Sequence, residues 1–96
     1  MRMIDIFGTR TPAALCKDVA AREKACRKAR GLTQQQLASK SGVSLGSLRR
    51  FEQTGEISLH SLARLASALD CGDDLDTLFD RKVFRTIEEV INAQGS

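Results

Sequence analysis

The segment that most constrains this chain runs from Thr33 to Phe51, T-Q-Q-Q-L-A-S-K-S-G-V-S-L-G-S-L-R-R-F. Leu37, Val43, Leu48 and Phe51 supply its apolar positions, Ala38 a small residue in the first helix, and Gly42 the point where the chain must turn. It reads as two short helices joined by a tight turn. A helix-turn-helix that enters the DNA major groove needs this arrangement: a small residue where the helices touch, a glycine at the turn, and apolar anchors behind a polar face. Sequence-selective DNA binding is therefore the leading functional expectation.

The flanking sequence places this unit within a larger helical array. Thr11 followed by Pro12 combines an N-cap acceptor with a fixed φ at the first helical position, and predicts a helix to about Arg30 that stops at Gly31. Its expected core face is Leu15, Val19, Cys26 and Ala29, interrupted midway by Arg22 and Glu23. Thr33 is the next N-cap, and Ser44 caps a third helix, LGSLRRFEQ, which Gly55 ends after Thr54. Ser58 caps a fourth with a continuous stripe of Leu59, Leu62, Leu65, Ala66 and Leu69, and Asp73 or Asp74 caps a short fifth holding Leu75, Leu78 and Phe79. The expected fold is all-α, a compact five-helix bundle. Residues 1–10 read as an N-terminal arm, 11–80 as the domain, and 81–96 as an extension. That extension has helical character from Thr86, and its Val83, Phe84, Ile87, Val90 and Ile91 either dock on the bundle or pair with a second subunit.

Ninety-six residues suit a single core, and four Phe with no Trp or Tyr mean that small and aliphatic side chains must fill it. No apolar run approaches the roughly 20 residues needed to cross a bilayer, and Asp5 interrupts the N-terminus where a secretory signal would be apolar. No membrane partner is expected, and the location expected is cytoplasmic. Three cysteines, Cys16, Cys26 and Cys71, are an odd number without a C-x-x-C pair, and His60 is the sole histidine. Those spacings suit neither a disulfide framework nor a metal site, so the cysteines read as small buried hydrophobes and no cofactor is expected. Enzymatic activity is not expected either, because His60 has no nucleophile or paired acid at a telling spacing and no glycine-rich phosphate loop is present. The net charge of +3 conceals an asymmetry: +5 over residues 1–31, +2 over 32–69 and −4 over 70–96. A basic front and acidic back would orient the molecule on a polyanion.

From Arg27 to about Leu69 the chain resembles the Cro/C1-type helix-turn-helix repressors, also called the xenobiotic-response-element family. The resemblance is carried by Arg27 three residues ahead of Arg30-Gly31, the G-L-T-Q opening of the second helix, the Leu37-Ala38 pair, the S-G-V-S turn, and Glu52 near the end of the third helix. It implies a lambda-repressor-like bundle with double-stranded DNA as partner. By position it assigns DNA contact to Gln34, Gln35, Ser44, Leu45, Gly46, Ser47, Arg49 and Arg50, with Gln34 either on a phosphate or bracing the recognition helix. Arg49 and Arg50 are the candidates for base reading, since an arginine fork reaches guanine O6 and N7 together, with phosphate gripping as the alternative. Arg27 and Glu52 are placed like the family's structural ion pair, unless both are solvated. Glu23 stands where the family usually has an aliphatic residue, and Gly46 offers no side chain where many relatives present a polar one.

Three functions follow from this reading. The first is a homodimeric transcriptional repressor on a palindromic operator. The second is a HipB-type antitoxin, suggested by the short architecture and the FEQTGEISL passage, which would bind a toxin protein as well as DNA. The third is an adaptor that binds only protein, against which the combined +7 of residues 1–69 argues.

Overall fold

A computed structural model describes residues 10–80. Most of the expected arm and all of the expected extension lie outside the described residues. Within them the chain forms five helices and no strand: α1 Pro12–Ala29, α2 Gln34–Ser41, α3 Leu45–Thr54, α4 Leu59–Ala68 and α5 Gly72–Asp76.

Four of the five starts are set by a hydroxyl side chain. Thr11, Thr33, Ser44 and Ser58 each sit in extended backbone and accept from the N–H three residues on, satisfying a donor that the first helical turn cannot pair internally. At α2 the exchange is reciprocal, with Gln36 N donating to Thr33 Oγ1 at 3.0 Å and Thr33 N to Gln36 Oε1 at 2.9 Å. α5 departs from the expectation. It starts after Cys71, which makes no side-chain cap, and Asp73 and Asp74 lie inside the first turn rather than at the cap. There their charges still complement the helix dipole.

The core gathers Leu37 and Ala38 of α2, Val43 of the turn, Leu48 and Phe51 of α3, Leu65 of α4 with Leu69 just beyond it, and Ala20 of α1. Leu37, Leu48, Phe51 and Leu65 are fully enclosed. Burying such a side chain contributes about 1.5–3 kcal/mol each, and these four come from three different helices, so they tie the bundle together.

Two expected apolar stripes are displaced. In α1 the buried line is Ala20, Glu23 and Arg27, with Val19 and Cys26 only partly covered, while Leu15 and Ala29 are exposed. The cause lies at the end of α3. Gly55 is buried with φ +83°, and a Cβ there would fall 2.9 Å from both the Cys16 carbonyl carbon and the Lys17 nitrogen. This backbone contact presents the face containing residues 16, 20, 23 and 27 to α3 and turns Leu15 outward. In α4, Leu59 is exposed, because the stripe meets the core only from Leu62 onward. Leu78 and Phe79, after α5, are exposed as well.

Candidate nucleic-acid interface

Gly42 sets the angle between α2 and α3. Its φ of +77° is a left-handed conformation that costs a residue with a Cβ about 1–2 kcal/mol, and its N–H closes α2 on Ala38 O at 3.0 Å. Two residues later Ser44 opens α3. Leu48 and Phe51 of α3 point inward and are buried, whereas Ser44, Gly46, Ser47, Arg49 and Arg50 are exposed. Those five occupy one uncovered face. Leu45 is half-buried and leans on the core, so only part of it can meet a ligand. Gln35 is exposed on α2 and Gln34 is half-buried.

The polar groups on this face are not equivalent. Ser44 Oγ accepts from Ser47 N at 3.1 Å and donates to Ser47 Oγ at 2.9 Å, so the two hydroxyls hold one another across the first turn. Arg49 makes no side-chain hydrogen bond or ion pair with the described residues, which leaves its whole guanidinium fork available. Arg50 is engaged, its Nη2 donating to Glu56 Oε1 at 2.5 Å, although both side chains are largely open to solvent. Exposed pairs of this kind are worth about 0–1 kcal/mol, so Glu56 biases where Arg50 points without fixing it. A Cβ on Gly46 would meet nothing within 4 Å.

Behind the face lies a buried polar cluster centred on Glu52. Arg27 Nε donates to Glu52 Oε2 and Arg27 Nη2 to Glu52 Oε1, both at 2.9 Å, a two-pronged bond between side chains only 7% and 2% exposed. Gln34 Nε2 adds a bond to Glu52 Oε1 at 2.9 Å, and the remaining arm of Arg27 reaches Leu32 O at 2.8 Å. Thus α1 and α2 converge on α3 through one carboxylate, and Arg27 ties the loop between them to the same cluster. The Gln34 side chain thus links α2 to α3.

Glu23 completes the cluster. Neither of its oxygens receives a donor from the described residues, and two carboxylates can bond each other only if one carries a proton. Burial, then the bond to Glu52 and the charge of Glu52, raise the Glu23 pKa to about 8, against the opposing charges of Arg27 and Lys24. Burial works in the same upward direction on Glu52, but the bonds from Arg27, Glu23 and Gln34 outweigh it and hold Glu52 below the ordinary carboxylate range. The bond to Glu52 in turn raises the pKa of Arg27 despite its burial. The proton therefore resides on Glu23, and one negative charge on Glu52 faces one positive charge on Arg27. In the sequence, Glu23 reads as a break in the apolar stripe. The signal that identifies it is its i, i+4 relation to Arg27, which places both on one helical face. Glu56 was likewise missed, because its position after the Gly55 turn gives no periodic cue.

Among the described residues no helix is long and apolar enough to cross a membrane, and no His, Cys, Asp and Glu group is arranged to hold a metal ion. A protein-family model described as helix-turn-helix matches residues 24–75, just over half of the chain and all of α2, α3 and α4. No curated protein matches the chain.

Proposed function

Because this chain belongs to the Cro/C1-type helix-turn-helix family of DNA-binding transcriptional regulators, we propose that it is a homodimeric repressor that reads an operator with α3. The observation that carries this reading is the uncovered face of α3, where Arg49 and Arg50 stand beside Ser44, Gly46 and Ser47 on a helix whose opposite face is anchored by Leu48 and Phe51. With one such helix per subunit, two major-groove segments about 34 Å apart would be read, and the operator would be palindromic. Arg49 is the stronger candidate for a guanine, since its fork is unengaged. Arg50 must first leave Glu56. Ser44, Ser47 and Gln35 have the hydroxyl and amide chemistry for phosphate oxygens, and Gln34 serves them indirectly by bracing α3. Exposed Leu78 and Phe79 after α5 support a protein contact at that end of the domain, where a second copy would pair.

Footprinting and gel shifts on the DNA upstream of the protein's own gene test the reading, with solution mass measured alongside. Arg49→Ala is expected to weaken binding by roughly 1–3 kcal/mol and to relax preference at one base pair. An equal loss on every sequence would reassign Arg49 to a phosphate. The antitoxin reading draws on the same exposed Leu78 and Phe79. It would be favoured if a different protein, encoded beside this one, co-purified on that surface in place of a second copy.

A further inference from the structure

Two of the three cysteines, distant in sequence, meet in space. Cys26 on α1 and Cys71 in the turn between α4 and α5 bring their Sγ atoms to 3.6 Å, and both remain free thiols. Cys71 is held in place by its surroundings: its N–H donates to Ala66 O at 2.7 Å, and the preceding Asp70 adopts a φ of +58° that turns the chain sharply. Its Sγ also lies 3.3 Å from Leu69 O. Across the same junction Arg30 Nη1 donates to Asp70 Oδ2 at 3.0 Å, an exposed tie of little strength. Both cysteines are half-buried and line a groove of about 480 Å³, together with Val19, Glu23, Leu62 and Leu78. A small oxidant can reach them there.

We infer that Cys26 and Cys71 are a reversible thiol pair that a hydroperoxide converts to a disulfide, stapling α1 to the α4–α5 turn. The sulfurs need close by only about 1.6 Å to reach bonding distance, a shift that side-chain rotation and a small movement of the turn supply. The bond to Cys26, then burial, holds the Cys71 thiol above its ordinary range. Attack can begin at Cys26, and beginning at Cys71 gives the same disulfide. The Cys26 sulfur attacks the O–O bond of the hydroperoxide, forming Cys26 sulfenic acid and releasing water or the corresponding alcohol. The Cys71 sulfur then displaces hydroxide from the sulfenyl sulfur and its own proton leaves with it as water. Two thiols lose two electrons and two protons, and the peroxide accepts them. Cys16 is exposed on α1 and takes no part.

The full-length protein is treated with hydrogen peroxide, its remaining thiols are alkylated, and the intact mass and peptide map are read. The expected product carries one alkyl group instead of three, at Cys16, with a peptide linking Cys26 to Cys71. The Cys16→Ser variant should form the same link, and Cys26→Ser and Cys71→Ser should form none within the chain. Because the staple closes the loop from residue 26 to residue 71, the oxidised protein should melt on the order of 10 °C higher than the reduced one, and dithiothreitol should reverse the gain. Three alkylatable thiols after oxidation, a link through Cys16, or irreversible oxygenation of Cys26 without a link would each overturn the inference. So would a link formed without a rise in melting temperature, since a staple that fits the folded junction must stabilise it.

Discussion

Replacing Glu23 with glutamine tests the buried cluster directly, because it exchanges the protonated carboxyl for an isosteric amide that cannot ionise. In the folded protein Glu23 titrates at about 8 against an ordinary value of 4.5. A group whose folded pKa is raised adds stability that is fully present below the unfolded value and is lost as pH rises through the folded one. Between those two values the native state holds one more proton than the unfolded chain, so the folding equilibrium constant falls about tenfold for each pH unit. The whole window amounts to roughly 5 kcal/mol, a large share of the 5–15 kcal/mol that keeps a domain folded. Glu23 is 8% exposed, so solvent screens little of this effect. In Glu23→Gln the side chain keeps its shape, offers an amide N–H toward Glu52 and carries no charge. The variant should match the wild type within about 1 kcal/mol at pH 5 and exceed it by roughly 3–4 kcal/mol at pH 9. Urea unfolding followed by circular dichroism at 222 nm is the suitable assay, since the chain has no Trp or Tyr to report by fluorescence. Parallel stability curves for the two proteins from pH 5 to 9 would refute the shared-proton account. So would a wild type whose stability rises with pH across that range.

Three further outcomes follow from single contacts. Glu52→Ala leaves the Arg27 guanidinium buried without its carboxylate and should cost about 3–5 kcal/mol in a denaturant titration, far more than Glu56→Ala, which breaks an exposed pair worth at most about 1. Gly55→Ala forces a methyl to 2.9 Å from the backbone of Cys16 and Lys17 while requiring a left-handed conformation, so thermal melting should show a loss of at least 2–3 kcal/mol, roughly. Gly46→Ala meets open space inside α3 and should raise stability by about 0.5–1 kcal/mol, measured the same way. Its effect on DNA binding then reports whether backbone approach at that position matters.

Much of the fold was legible because it rests on local chemistry. Thr11, Thr33, Ser44 and Ser58 announce helix starts, and Gly42 and Gly55 announce turns, by side-chain properties that act within four residues. What the sequence did not disclose depends on contacts between distant segments. The rotation of α1 is decided by a glycine some forty positions later that lets α3 touch its backbone, which no stripe within α1 can anticipate. Glu23 looked out of place on an apolar face because its partner Glu52 lies on another helix. The cysteines, read separately as small hydrophobes, form a pair only through the turn at Asp70. On α3, the exposed face followed from helical spacing, but the difference between Arg49, unengaged among the described residues, and a Glu56-bound Arg50 required the loop after α3 to be in place.

The convergence on Glu52 has a mechanical consequence. Bonds from α1 and α2 meet on the helix that carries Arg49 and Arg50, so α3 has no independent hinge, and its attitude is settled before any duplex arrives. On the reading proposed above, a bundle so braced would present its arginines as a fixed stencil. In a two-subunit assembly, tolerance for half-sites at unequal separations would then reside wholly in the joint between subunits, and an operator lengthened by one base pair would test that joint rather than the helix.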